Sequence, residues 1–171
     1  RFALEIGDQE KAMQAANQIF DRNLRTEEVP CKTYHYLLRD AIRRGDLDAA
    51  GKYAEPLRPL CAGQRFQLEP IGMVLCYDAL TNPERGLQFY AKNKALREGS
   101  RNPFLCFWFD RGAARLLTAA AEQGLSGRDA AGAVLTPEQL ATDAQACLQS
   151  CRMLAEKFDA RNRSDYFMSE L

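Results

Sequence analysis

The side chains that could do chemistry in this chain are a single histidine and six cysteines. His35 lies beside Tyr34 on a predicted helix, where we expect a surface or partner-contacting histidine rather than a catalytic one. The cysteines form no C-x-x-C pair, and with one histidine they cannot complete a zinc site of the usual spacing. Glycine-rich phosphate loops are also absent from the sequence. We therefore predict no enzyme, no bound metal and no cofactor.

Two of the cysteines, Cys147 and Cys151, are four residues apart on a predicted helix and so share a face. A redox or metal-binding pair would need this arrangement, but buried cysteines that pack as small hydrophobic residues produce it as well. The latter is the ordinary interpretation. Scattered cysteines without a disulfide framework indicate a reducing compartment.

The composition is typical of a folded protein, with 46% hydrophobic and 27% charged residues in a chain of 171. This length fits one domain. Lysine and arginine total 23, as do aspartate and glutamate, and such a balance counts against a protein that mainly binds phosphates. No apolar run is long enough to cross a bilayer. The sequence opens inside a predicted helix, so we expect it to be part of a longer chain.

One segment, 33–70, shows how the chain is organised. Gly45 suits the left-handed turn at the end of one helix, and Asp46 suits the N-cap of the next. The second helix contains Pro56, which we expect to bend or shorten it. The pattern predicts an antiparallel helical hairpin. In the first helix the apolar residues recur at helical spacing: Tyr34, Leu37, Leu38, Ala41 and Ile42.

The capping signal of this hairpin recurs along the chain. Asp8 precedes Asp46 by 38 residues, and Asn82 follows Asp46 by 36. A small residue stands four positions after each of these caps, where two helices can approach closely. These small residues are Ala12, Ala50 and Gly86.

The predicted fold is an all-α, right-handed α-solenoid of about three to four antiparallel helical hairpins in a single domain, 1–171. We expect a longer C-terminal capping helix, opened by a capping box at Thr136, and no β-sheet. A loop insertion is expected at 125–135. The hairpins are placed at 1–25, 33–60, 70–98 and 102–160. The helices are placed at 2–6, 9–23, 33–44, 47–59, 70–80, 83–97, 102–123 and 136–160, with a last short helix from Ser164 or Asp165.

Segment 33–70 resembles a pentatricopeptide repeat, a helical hairpin common in organellar proteins. Pro70 would close this unit. Tetratricopeptide repeats are the related alternative, but their Trp–Leu–Gly–Tyr signature is absent from these hairpins. The residues that carry the resemblance are Thr33, Tyr34, Leu37, Leu38, Ala41, Gly45, Leu47, Ala50 and Leu57.

The resemblance implies two classes of function. Members that read single-stranded RNA use polar residues at two positions of each repeat, which correspond here to His35 and Pro70, with Leu75 at the early position of the next repeat. Leucine and proline side chains offer no hydrogen-bonding group to a base. The departure favours a non-catalytic scaffold or accessory subunit that contacts proteins in a large organellar assembly, first a mitochondrial ribosome and next a respiratory-chain complex. The alternative is a single-stranded RNA-binding protein in organellar RNA processing or translation. The expected location is the mitochondrial matrix side, or a plastid.

Two surfaces are candidates for contact. His35 and the basic residues Arg39, Arg43 and Arg44, with Arg58 and Arg65 nearby, could meet RNA or a partner, although ordinary solvated charges would look the same. The second candidate is an aromatic run on one helix. Four aromatics in six residues surround the helix on nearly every side, so most of them are expected to pack in the core between repeats, and one or two would form a partner-facing hot spot. This run is Phe104, Phe107, Trp108 and Phe109.

Overall fold

The computed structural model describes residues 2–26, 28–128 and 132–171, and nearly all of their regular structure is helical. The predicted all-α class is confirmed. Spatial clustering divides the chain into two compact units, Arg1–Leu60 and Cys61–Leu171. Each unit has buried apolar residues of its own. The single repeat domain stays a prediction.

The first unit contains four helices: α1 (Phe2–Glu5), α2 (Gln9–Asp21), α3 (Cys31–Arg43) and α4 (Leu47–Cys61), which ends at the unit boundary. The predicted caps are confirmed here. The Asp8 carboxylate accepts a hydrogen bond from the Lys11 amide at 3.0 Å, and Asp46 accepts one from the Ala49 amide at 3.0 Å. Gly45 has the left-handed φ of 71° that the end of α3 requires.

Small and apolar residues form the core of this unit. Ala50, four residues after its cap, is fully buried, and the rings of Phe20 and Tyr34 stack with centroids 4.7 Å apart. The expectation that Pro56 shortens α4 is wrong, because the helix continues through Pro56 and Pro59. Proline has no amide hydrogen to donate to the carbonyl four residues earlier, and the residues concerned, Lys52 and Glu55, are exposed.

The second unit contains five helices: α5 (Leu68–Thr81), α6 (Pro83–Glu98), α7 (Pro103–Glu122), α8 (Pro137–Asn162) and α9 (Tyr166–Ser169). The predicted starts at Asn82, Asn102 and Thr136 are confirmed, and Thr136 forms its capping box with Gln139. However, α3 and α5 each begin two residues earlier than predicted. Pro70 therefore lies in the first turn of α5, where proline is tolerated, rather than at the end of a repeat.

Helix α7 is the centre of the second unit and packs against α5, α6 and α8. The backbones of α5 and α7 approach each other closely at two glycines. A Cβ atom built on Gly112 of α7 would lie 2.0 Å from the carbonyl oxygen of Gly72, and one built on Gly72 would lie 2.2 Å from the carbonyl oxygen of Trp108. Both distances are well inside van der Waals contact, so this helix crossing requires glycine on both sides.

A small antiparallel strand pair follows α7, so the expectation of no β-sheet is wrong. β1 (Gly127–Arg128) pairs with β2 (Val134–Leu135), within the predicted loop insertion. Two residues a strand are too few for alternating hydrophobicity to reveal. Part of the predicted insertion, 129–131, lies outside the described residues.

Candidate partner interface

The expected surface histidine is inside the protein. His35 is 1% exposed on α3, and its ring meets that of Tyr36 edge-on at 5.0 Å. The surface role expected for it is therefore wrong, because the side chain cannot reach a partner or an RNA base from this position. The other two positions that correspond to the base-reading sites of pentatricopeptide repeats, Pro70 and Leu75, are also buried.

The basic set on α3 carries acidic partners within it. Arg44 donates to Asp40 at 2.9 Å and to Asp46 at 3.4 Å. The hydrogen bond to Asp40 is the main reason that the pKa of the Arg44 guanidinium is raised. Arg43 is exposed and Arg39 is half-buried. The carboxylates beside Arg44 reduce the positive potential of this surface, so phosphate binding here stays a prediction with little support.

The aromatic run on α7 is mostly core. Phe107, Trp108 and Phe109 are buried, because neighbouring helices cover α7 on several sides. Most of the run was expected in the core, and these three residues lie there, so they are excluded from the predicted hot spot. Phe104, the second residue of α7, is 39% exposed. Of the predicted hot spot, only Phe104 is available at the surface.

Phe104 belongs to an apolar surface that the sequence did not reveal, which we call the α9 patch: Phe104, Tyr166 and Met168. These side chains are 39%, 40% and 42% exposed. They are grouped around the buried Phe167, whose ring centroid lies 6.3 Å from that of Phe104 and 5.1 Å from that of Tyr166. Phe167 itself packs against Phe107 at 5.2 Å, so the patch is supported by the core of the unit.

A buried carboxylate holds α9 in place. Asp159 of α8 accepts hydrogen bonds from the amides of Phe167 and Met168, at 3.0 and 2.8 Å, and from the Ser164 hydroxyl at 3.1 Å. Burial of Asp159 raises its pKa, but these hydrogen bonds outweigh the effect, and the pKa lies below its ordinary value. The ionised carboxylate therefore orders the helix that presents Tyr166 and Met168.

The residues after α9 are also held. The Arg111 guanidinium of α7 donates to the Glu170 carbonyl and forms an ion pair with the Glu170 carboxylate at 3.1 Å. Both side chains are nearly buried. Arg115 donates to the Leu171 carbonyl at 3.4 Å. The α9 patch is thus fixed on both flanks rather than carried by a free tail.

We expect Asp159→Asn to loosen α9. The amide side chain has no charge and one acceptor oxygen instead of two, so it cannot satisfy both backbone amides as well. Hydrogen exchange of the Phe167 and Met168 amides should become several-fold faster. Asp165→Asn is the matched control, since Asp165 makes no capping hydrogen bond to α9. Equal hydrogen-exchange rates of these amides in both variants would contradict the role assigned to Asp159.

The stabilisation of α9 by Asp159 should also depend on pH. Because the folded-state pKa of Asp159 is depressed, its stabilising contribution is complete above the ordinary aspartate pKa and is lost as the pH falls through the folded value. Protection of the Phe167 and Met168 amides in the wild-type protein should therefore decline in acid below the ordinary aspartate pKa. Asp159→Asn should lack this decline.

The cysteines are buried in the protein except for Cys147, which is half-buried. All six are free thiols, and among the described residues no cluster of three or more histidine, cysteine or acidic side chains could hold a metal ion. Burial raises the pKa of Cys147 from 9.0 to about 12, and burial also raises the pKa of Cys151. Neither thiol forms much thiolate near neutral pH, as expected of cysteines that pack as hydrophobic residues.

An ion pair with a buried carboxylate joins three helices of the second unit. Arg97 of α6 donates twice to Asp110 of α7, at 2.7 and 2.6 Å, and Ser150 of α8 donates to the same carboxylate at 2.7 Å. Asp110 is 4% exposed. Hydrogen bonds from two side chains reach this carboxylate, so it joins α6, α7 and α8.

Comparison with known proteins leaves the function to be inferred from the chain itself. No family model matches it, and no curated protein or solved structure matches it either. Among the described residues, no helix combines the length and the apolar character that a membrane span needs. The chemistry of the α9 patch is therefore the main guide to function.

Tyr166 and Met168 are the two residues of the candidate α9 patch that were not predicted from the sequence. The last short helix itself was predicted, with Asp165 as one of two candidate caps. A Tyr–Phe–Met run on so short a helix was the available signal. With a single turn, only one of these side chains can point into the core, so the other two are left at the surface.

Proposed function

We propose that this chain is a non-catalytic helical-repeat scaffold or accessory subunit that binds other proteins in a large organellar assembly. By the resemblance to pentatricopeptide repeats, the assembly is first a mitochondrial ribosome and next a respiratory-chain complex. The observation that carries the protein-binding part is the α9 patch. Its three large apolar side chains are exposed together on a well-supported surface, as in the anchor residues of protein interfaces.

The repeat character of the proposal is supported by the caps. Asp8, Asp46 and Asn82 each accept a backbone hydrogen bond at 3.0 Å from the amide three residues later. The small residue that follows each cap is buried. Recurring hairpins of this kind are the units of an α-solenoid, whose extended surfaces commonly bind other chains.

Site-specific photo-crosslinking tests the proposal. We would place benzoylphenylalanine at Phe104 and irradiate the protein in an extract of the mitochondria from its source. Adducts that protease removes and ribonuclease leaves intact are expected. Phe66 is the control site, an aromatic residue that is 80% exposed and outside the α9 patch. Equal adducts at both sites, or none at Phe104, would contradict the proposal.

The alternative of single-stranded RNA binding predicts the opposite result. Adducts at Phe104 would then be removed by ribonuclease. The chain would also bind a random single-stranded RNA pool with an affinity that falls steeply as salt rises, since phosphate contacts release counterions. Arg39, Arg43 and Arg44 would be the first residues to substitute. The carboxylates beside Arg44 favour the protein-binding function over this one.

A further inference from the structure

The surroundings of the α9 patch carry a net positive charge. The two segments that form it, 101–104 and 161–168, contain three arginines, Arg101, Arg161 and Arg163, and one acidic residue, Asp165. All four residues are exposed. Arg101 and Arg163 each stand three residues from a patch aromatic, which keeps their backbones within about 11 Å of it. The rim of the patch is therefore basic.

The arginines of the rim are not neutralised by the protein. Within the described residues, no ion pair involves Arg101, Arg161 or Arg163. Arg161 lies over the ring of Phe158 with its guanidinium carbon 5.6 Å from the centroid, which places its charge against the aromatic cluster beneath the patch.

Of the nearby buried carboxylates, Glu170 is compensated by Arg111, and the negative charge of Asp159 still leaves the three arginines in excess over Asp159 and Asp165. Asp159 accepts three hydrogen bonds that hold α9, and Glu170 pairs with Arg111. The exposed surface thus combines apolar anchors with a net positive rim. Such a surface is complementary to a segment with large apolar side chains flanked by acidic ones.

We propose that the α9 patch binds an acidic, apolar-anchored segment of a partner protein. This inference rests on the proposed function and adds the chemistry of the partner. The apolar side chains of the segment would cover Phe104, Tyr166 and Met168, and its carboxylates would face Arg101, Arg161 and Arg163. The apolar contacts hold the complex together, while the charges select the partner and speed its association.

Two labelled amphipathic peptides test this proposal by fluorescence anisotropy with the full chain. Both present leucine and phenylalanine on one helical face, and the other face carries glutamate in one peptide and lysine in the other. We expect the glutamate peptide to bind about tenfold more tightly or better, with the difference shrinking as salt screens the rim. Phe104→Ala should weaken binding of the glutamate peptide, and Phe66→Ala should not.

A charge reversal provides the decisive variant. Arg101→Glu combined with Arg163→Glu should weaken binding of the glutamate peptide by about tenfold and strengthen binding of the lysine peptide. Both arginines are exposed, so the variant is expected to fold. Circular dichroism and the unfolding midpoint check this point.

The outcomes separate this inference from the proposed function. Equal binding of both peptides, unchanged by the charge reversal, would overturn the acidic partner and leave protein binding at the patch intact. If neither peptide binds but protease-sensitive adducts still form at Phe104, the acidic partner is likewise overturned and protein binding at the patch is retained. Binding of polyuridylate that the charge reversal abolishes, with no peptide binding, would overturn both in favour of RNA.

Discussion

Gly112→Ala is expected to destabilise the second unit by about 3 kcal/mol or more, a large part of the stability of a typical domain. The new methyl group would lie 2.0 Å from the Gly72 carbonyl oxygen and 2.7 Å from the Gly72 Cα. These are backbone atoms within a helix, so no side chain can move aside. The two helices would have to separate, and the core around α7 would lose contacts along its length.

Urea unfolding followed by tryptophan fluorescence measures this effect. Trp108 is the only tryptophan, and it is buried next to the crossing, so its signal reports on α7. Gly99→Ala is the matched control, because its methyl group would meet its nearest atom at an ordinary 3.5 Å. An unfolding free energy for Gly112→Ala within about 0.5 kcal/mol of the control would show that the helices are not in contact at this point.

Removal of Arg97 is expected to have the second largest effect. In Arg97→Met the Asp110 carboxylate, 4% exposed, loses both guanidinium hydrogen bonds and retains only the one from Ser150. A buried charge without its counterion costs about 3 kcal/mol. The same urea titration should show this loss at neutral pH.

The double variant Arg97→Met with Asp110→Leu should be more stable than Arg97→Met alone, because the second change removes the uncompensated charge. Lys94→Met is the control. Lys94 lies 3.7 Å from Asp143, and both side chains are about one third exposed, so its loss should cost less than about 1 kcal/mol. A double variant that is less stable than either single one would mean that the carboxylate is stabilised by groups other than Arg97.

The starts of the helices with a side-chain cap could be predicted because the interactions that set them are local, whereas α3 and α5 have no such cap and begin earlier than predicted. Asp8, Asp46, Asn82 and Thr136 each accept a hydrogen bond from an amide three residues further along the chain. Such a pair can be read from a short stretch of sequence. The all-helical class follows from the same local signals together with the spacing of the apolar residues.

The packing could not be predicted, because it depends on pairs far apart in the chain. Gly72 and Gly112 are 40 residues apart, and nothing near either one indicates that they meet. The aromatics of α7 surround the helix, so most of them were expected in the core, but the sequence did not show which one stays at the surface. In the structure α7 has three helical neighbours, and an apolar residue on almost any side of it is covered.

The candidate site was predicted only in part for the same reason. Phe104 was expected at an interface and is exposed, whereas Tyr166 and Met168 become part of that surface only when Asp159 holds α9 beside α7. The basic set on α3 stays a prediction. Arg44 forms an ion pair with Asp40, one helical turn before it, and this spacing could have been read from the sequence.

The position of α7 in the chain has a consequence for folding during synthesis. During translation α7 is complete before any of α8 or α9 has been made. The aromatic side of α7 that those helices cover is therefore not yet buried. Phe107 and Trp108 stay open to the solvent until the chain has been synthesised to Phe167, which closes over Phe107. The growing polypeptide should therefore be a client of chaperones that recognise exposed aromatic residues, for as long as the last third of the unit is still being made.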